Sequence, residues 1–414
     1  MEKKDYKILW IYLPFLVLLF LSITKSGFGL DVDCWVKWAK FSLENGFRNT
    51  YKSGTDYLPI LHYLLNIFSR IQGSASNIAA NIHYFKVITI LFEFGSTLIL
   101  FKLLNDKFKD VYKSILYSLF YLLNFAILYN SMIWNQVDGI LTFFAFCSII
   151  AAYYKKSIIA IVSFVFAINM KPQAIIFLPI LILLLIPIIR EQKYKKNILL
   201  FVTPLVFQTL ILLPFILAGD VGRIWSNLTN YVDRFPCISM NAYNFWHLIT
   251  FSNDSLSNMK DTIKFAGISY KNWGMILFMI SSFISLFWII KPTLLSFFKK
   301  MKINISLRKL LISTGLICLL FFYFNTQMHE RYPHPAIIFI ASYSLLYKKP
   351  LPFIFITIAY FLNLESALGN LKLYHFAPIL FYPITISILF LITILLLFFD
   401  LFKGDKNNIE IPLK

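Results

Sequence analysis

An all-α polytopic membrane protein with about twelve transmembrane helices is the fold class this sequence predicts. Three observations carry that reading. Hydrophobic residues make up 58% of the 414 residues and Phe alone supplies 44, whereas charged residues are only 14%. The apolar residues come in long runs that approach or reach the ~20 residues a helix needs to cross ~30 Å of hydrocarbon. The alternation that marks a membrane β-barrel is missing, and backbone in lipid must satisfy its own hydrogen bonds, so the runs read as helices.

The first run, "ILWIYLPFLVLLFLSIT" (8–24), follows a basic "MEKKDYK" and lacks an A-x-A-like cleavage site. It reads as a transmembrane helix with its N-terminus inside, not as a cleaved signal. Further helices fall near 78–104, 113–130, 138–154, 157–170, 172–189, 198–218, 273–291, 309–325, 334–347, 351–369 and 378–402. The 157–170 and 172–189 pair is short and broken by Pro172, so a re-entrant hairpin is an alternative there. The whole chain, 1–414, reads as a single transmembrane domain.

Charge orients the bundle. With an inside start, twelve crossings put most of the 39 lysines and arginines in short cytoplasmic segments, among them 102–113, 155–156, 190–196, 291–309 and 348–349. That is the positive-inside pattern. The +19 net charge then reports topology and attraction to anionic lipid, and no nucleic-acid partner is implied. The two long outer loops, 25–77 and 219–272, hold much of the polar material, which places the chemistry outside.

The first outer loop opens "DVDCWVKWAKFSLENGF", with Asp31 and Asp33 ahead of Trp35, Trp38, Ala39 and Leu43 at helical spacing. This predicts an amphipathic helix in the interface, with the Trp side chains at headgroup depth. A second such stretch begins at Asp56 in "DYLPILHYLL". A carboxylate at the membrane surface can take a proton from a hydroxyl; an aspartate before a helix can equally cap it. Both readings stand for Asp31 and Asp33.

Other polar groups fall at membrane depth on the outer side, where ionisable residues suggest function. "WNQVDGILTFFAF" supplies Gln136 and Asp138, "KPQAIIFLPIL" supplies Lys171 and Gln173, and "NAYNFW" supplies Asn241 and Asn244. Asp138 reads as a helix cap, an ion-pair partner of Lys171, or a site residue. In "MHERYPHPA", His329, Glu330 and Arg331 precede a helix begun by Pro333 and Pro335. A helix N-terminus favours an anion, and a guanidinium can bind two phosphate oxygens at once. The alternative is an outward loop with an internal Glu–Arg pair.

Taken together, these six motifs resemble the GT-C superfamily of integral membrane glycosyltransferases, and within it the bacterial mannosyltransferase-like branch related to GPI-anchor mannosyltransferases. The resemblance runs from about residue 8 to 347. It implies the GT-C fold and a sugar, mannose favoured, taken from a polyprenyl phosphate donor. Transfer is to a lipid-linked or cell-envelope acceptor hydroxyl, with inversion, on the outer face of a bacterial plasma membrane. Both termini are then cytoplasmic. By the family's spacing the general base is Asp31, seven residues before the Trp of "WA"; Asp33, five before it, is the second choice. Arg331 is implied to hold the donor phosphate, with His329 and Glu330 orienting it or touching the sugar. Asp56, Gln136, Asp138, Lys171, Gln173, Asn241 and Asn244 are the further substrate-binding candidates. Leu58 stands where the family usually has Pro. The resemblance fixes no cofactor; a divalent metal stays open, since acids cluster outside without diagnostic ligand spacing. Cys34 and Cys237 are both outer and are candidates to pair. Two rival classes share the layout: a lipid-linked glycan ligase or polymerase, and a lipid or glycan transporter. A transporter should show related repeats and mid-membrane charges, and neither is evident.

Overall fold

A computed structural model describes residues 10–230, 233–250, 255–299 and 305–403. Each of the twelve expected segments is helical where it is described. In chain order the longer helices are α1 (Tyr12–Leu21), α2 (Gly29–Asn45), α3 (Pro59–Gln72), α4 (Ala75–Phe108), α5 (Val111–Leu122) and α6 (Phe125–Ile133). Then come α7 (Asp138–Tyr153), α8 (Ser157–Met170), α9 (Pro172–Glu191), α10 (Tyr194–Leu217) and α11 (Val221–Thr229). The chain ends with α12 (Tyr270–Phe298), α13 (Leu307–Phe324), α14 (His334–Tyr347), α15 (Pro350–Leu368) and α16 (Pro383–Phe402).

Among the described residues seven helices are long and apolar enough to cross a membrane, and an eighth if α5 and α6, bent by 45° at their junction, count as one span. The other four expected spans, α1, α7, α8 and α14, have 10, 16, 14 and 14 residues. At 1.5 Å per residue these reach only about 15–24 Å. For α14 the reason is visible. Nearly every side chain from His334 to Leu346 is buried, so this helix is sheathed by protein on all sides. Gly315 on α13 makes that packing close: a Cβ there would meet Ile340 Cγ1 at 2.9 Å.

Local chemistry sets the helix ends. Asp110 accepts from the Lys113 amide (3.0 Å) and Asn124 from the Ala126 amide (3.0 Å), each capping the helix it precedes. Prolines open α3, α9, α15 and α16. Two small strand pairs interrupt the all-helical expectation. β1 (Ser239–Met240) runs parallel to β4 (Met328–His329), and β2 (Lys264–Phe265) pairs with β3 (Ile268–Ser269) in a tight hairpin. The first pair ties the second long loop to the "MHER" stretch.

The two ends of the bundle differ. At one end the basic segments meet one another. Lys155, before α8, pairs with Glu191 at the end of α9 (2.7 Å), so α8 and α9 form a hairpin with Lys171 at its tip. Arg308 reaches the Asp400 carbonyl (2.5 Å), and Tyr343 and Lys349 reach its carboxylate (2.7 and 3.7 Å). These are the segments expected to be cytoplasmic. The opposite end gathers the connections expected to be outer.

Trp35 and Trp38 depart from expectation. They lie on one face of α2, as their spacing requires, but that face packs into protein and the two side chains are 1% and 4% exposed. The Trp35 indole donates to the Asn135 carbonyl (3.3 Å), so these residues lock α2 to the bundle and do not anchor it at headgroup depth.

Candidate active site

At the outer-loop end lies a cavity of about 710 Å³. Five of the six connections expected on that side contribute to its wall, through residues such as Asp31, Trp134, Lys171, Arg234 and Arg331, and the end of α15 adds Ala367. No single loop makes this site.

Asp31 sits in the first turn of α2 and lines the cavity, half-buried. Among the described residues its side chain bonds to no amide of α2. Instead Oδ2 accepts from Gln136 Nε2 (2.5 Å) and Trp134 Nε1 (3.2 Å). Among the described residues both bonds land on Oδ2, which leaves the lone pairs of Oδ1 for another partner. Asp33 is exposed and does not line the cavity. Two residues along a helix turn the side chain by about 200°, so only one of the two aspartates can face inward, and Asp33 is the one excluded.

The "MHER" stretch is turned inward as well. Glu330 is buried, and Arg331 Nη1 donates to Glu330 Oε1 (3.0 Å), so the internal Glu–Arg pair exists. The loop is nevertheless not an outward one, because His329, Glu330 and Arg331 all line the cavity. Among the described residues Arg331 Nε is buried without a partner. Burial opposes ionisation of Glu330, but contact with His329 and the charge of Arg331 outweigh it and hold its pKa down. Burial likewise works against the Arg331 charge, and the carboxylates of Glu330 and then Asp31 more than offset it. Asp31 and Arg331 are thus within electrostatic reach of each other.

The remaining expected residues divide. Asp56 lines the cavity and is ion-paired with Arg234. Lys171 lines it too, with its ammonium 2.5 Å from Asp138 Oδ1. Asp138 itself is behind the wall and is the counter-ion of Lys171, not a helix cap. Gln173 and Asn241 line the cavity; Gln136 acts from behind it through Asp31. Asn244 is wholly buried away from it and donates to the Phe322 (3.0 Å) and Asn325 (3.3 Å) carbonyls, which pins its loop to the end of α13. Cys34 and Cys237 are both free and do not pair.

Several participants escaped the sequence reading. Trp134 stands two residues before Gln136 in the same motif, but an uncharged indole there carries no mark of a site. Arg234 and Lys271 line the cavity and come from the second long loop, where no spacing flags them. Glu93, in the middle of apolar α4, accepts from His334 Nε2 (2.8 Å) and the Tyr121 hydroxyl (2.6 Å). His334 Nδ1 contacts Asn130 Nδ2 (3.0 Å), which also reaches Asp138 (3.4 Å). With an amide hydrogen facing Nδ1, that nitrogen accepts and Nε2 carries the proton. His334 is therefore a link in a buried chain running from Glu93 to Asp138, and it does not reach the cavity.

A scan of family models and a search of curated proteins both return no match. The chemistry of the site rests on its own residues. Among the described residues no three His, Cys, Asp or Glu side chains converge to hold a metal. What the cavity does assemble is a carboxylate held by uncharged donors, several cations, Lys171 and Arg331 among them, and the aromatic faces of Trp35, Tyr57, Trp134 and Phe235. A carboxylate with free lone pairs can remove a proton from a hydroxyl. Cations in a poorly solvated pocket stabilise a developing phosphate charge.

Proposed function

We propose that this chain is a GT-C-type membrane glycosyltransferase that moves a sugar, mannose favoured, from a polyprenyl phosphate to an acceptor hydroxyl. The observation that carries the reading is the placement of Asp31 and Arg331 in one cavity, each with a polar atom that has no hydrogen-bond partner among the described residues. In this reading Asp31 takes the proton of the acceptor hydroxyl. The acceptor oxygen bonds to the anomeric carbon, and the bond from that carbon to the phosphate oxygen breaks with inversion. The phosphate leaves with the electron pair and is met by Arg331 and Lys171.

The twelve helical segments are proposed as twelve crossings, with the four short ones sheathed by neighbours or completed at the interface. The cavity then faces outward from a bacterial plasma membrane, the termini are cytoplasmic, and α2 and α3 lie along the outer interface. The clustering of five of the six outer connections around one cavity supports this topology, as does the meeting of the basic segments at the far end. The acceptor is proposed to be lipid-linked or part of the cell envelope.

The test is transfer in proteoliposomes containing purified protein and radiolabelled polyprenyl phosphate sugars, with extracted envelope lipids as acceptors. Label should move to an acceptor and leave polyprenyl phosphate behind. Passage of lipid-linked glycan across the bilayer without transfer would instead mark a transporter, and transfer only of preassembled oligosaccharide would mark a ligase.

A further inference from the structure

Lys86 on α4 is fully buried, and among the described residues no acidic side chain pairs with it. Its ammonium donates to the Thr24 carbonyl (2.8 Å) and the Ser26 carbonyl (2.7 Å). A charge removed from water without a counter-ion is costly, and a methionine would fill much the same space. Stability alone does not account for a lysine here.

Its partners lie in the linker between α1 and α2, and that linker leads straight to Asp31. On its other side the linker rests against the segment that holds Asp31. The Phe28 amide donates to the Trp134 carbonyl (3.3 Å), and the Thr24 and Ser26 hydroxyls lie 3.4 and 3.5 Å from the Met132 carbonyl. Trp134 and Gln136, just beyond, supply both hydrogen bonds to Asp31. Gly27 sits at the tightest point, where a Cβ would meet Val32 Cγ2 at 2.5 Å. The linker is thus clamped between a buried ammonium and the strip that carries the donors to Asp31.

We propose that Lys86 is a positioning residue for the general base: it fixes the Thr24–Ser26 carbonyls, and through them the start of α2 and the Asp31 carboxylate. This rests on the assignment of Asp31 above. A displacement of about 1 Å at a reacting group can cost around a hundredfold in rate.

The experiment compares Lys86→Met, Lys86→Arg and Gly27→Ala in the full chain. Turnover is measured by sugar transfer, and donor affinity by calorimetric titration with a short-chain polyprenyl phosphate sugar. Lys86→Met should lower kcat about a hundredfold with the donor Kd unchanged. Lys86→Arg, which keeps a cation able to donate to both carbonyls, should recover turnover towards the parent. Combining Lys86→Met with Asp31→Asn should cost nothing beyond Asp31→Asn alone. Parent-like turnover in Lys86→Met, an equal loss of donor affinity, or a further loss in the double variant overturns the proposal. If Lys86→Met does not accumulate folded, Gly27→Ala, which disturbs the same linker by one methyl group, decides on the same criteria. Full activity in Asp31→Asn sinks the functional reading itself. An inactive Asp31→Asn beside an active Lys86→Met sinks only the role of Lys86.

Discussion

Asp31 and Asp138 each stand in the first turn of a helix, and neither caps it. There the likeness ends. Asp31 is half-open to the cavity and, among the described residues, hydrogen-bonds to the neutral donors of Trp134 and Gln136 alone. Asp138 is 2% exposed and touches the Lys171 ammonium. A carboxylate held by neutral donors keeps lone pairs available for a proton, whereas one bound to an ammonium serves as a counter-ion. The same residue at the same helical position takes two roles because its surroundings differ.

The widest way to break this comparison is Asp31→Asn. The asparagine carbonyl oxygen can still accept from Trp134 and Gln136, so the fold should hold while transfer falls by about 10²–10⁴-fold. Measured transfer close to the parent's would remove Asp31 as the base. Asp138→Asn should act in the opposite way. It leaves the buried Lys171 ammonium without its partner and should cost about 3–5 kcal/mol of stability, visible as a lower Tm in detergent. Unchanged Tm with lost activity would make Asp138 a participant in the reaction and blur the distinction.

Arg331 tests the far side of the same contrast. Arg331→Ala should weaken donor binding by about 2–5 kcal/mol. Arg331→Lys, which keeps the charge and loses the planar fork, should weaken it less. Acceptor KM should move little in either, and equal donor affinity in Arg331→Ala and the parent would leave the guanidinium as the structural partner of Glu330.

The last effect is nil at neutral pH and concerns acid. His62, on α3 beneath α2, has its Nε2 3.0 Å from Thr55 Oγ1 and its ring beside Trp38. Burial pushes its pKa down to about 3. The fold therefore holds it neutral while the unfolded chain takes up a proton below about pH 6.5. Stability should fall as pH drops from there towards 3, by at most about 1.4 kcal/mol per pH unit, and this loss should flatten below that. In His62→Phe the slope of Tm against pH over that window should shrink. An unaltered slope would place the acid sensitivity elsewhere, the shell around Asp138 included.

What could be read from the chain alone was set by short-range forces. Apolar runs demanded helices, and prolines and capping residues placed their starts. The crowding of lysines into alternate connections divided one end from the other. The motifs around Asp31 and Arg331 stood out because charge is rare in such a chain. Helical periodicity also required that Asp31 and Asp33 point apart, but it could not say which pointed inward. That choice belongs to α2 as a packed body, through Trp35 and Trp38 against protein and the Trp35 bond to Asn135, a hundred residues away. Arg234 meeting Asp56, His334 meeting Glu93 and Lys86 meeting the linker are decisions of the same kind. Each joins residues that no local spacing relates. Local propensity acts over a turn or two of helix, whereas these pairs exist only once the whole bundle has closed and low-dielectric burial has made every unpaired polar group expensive.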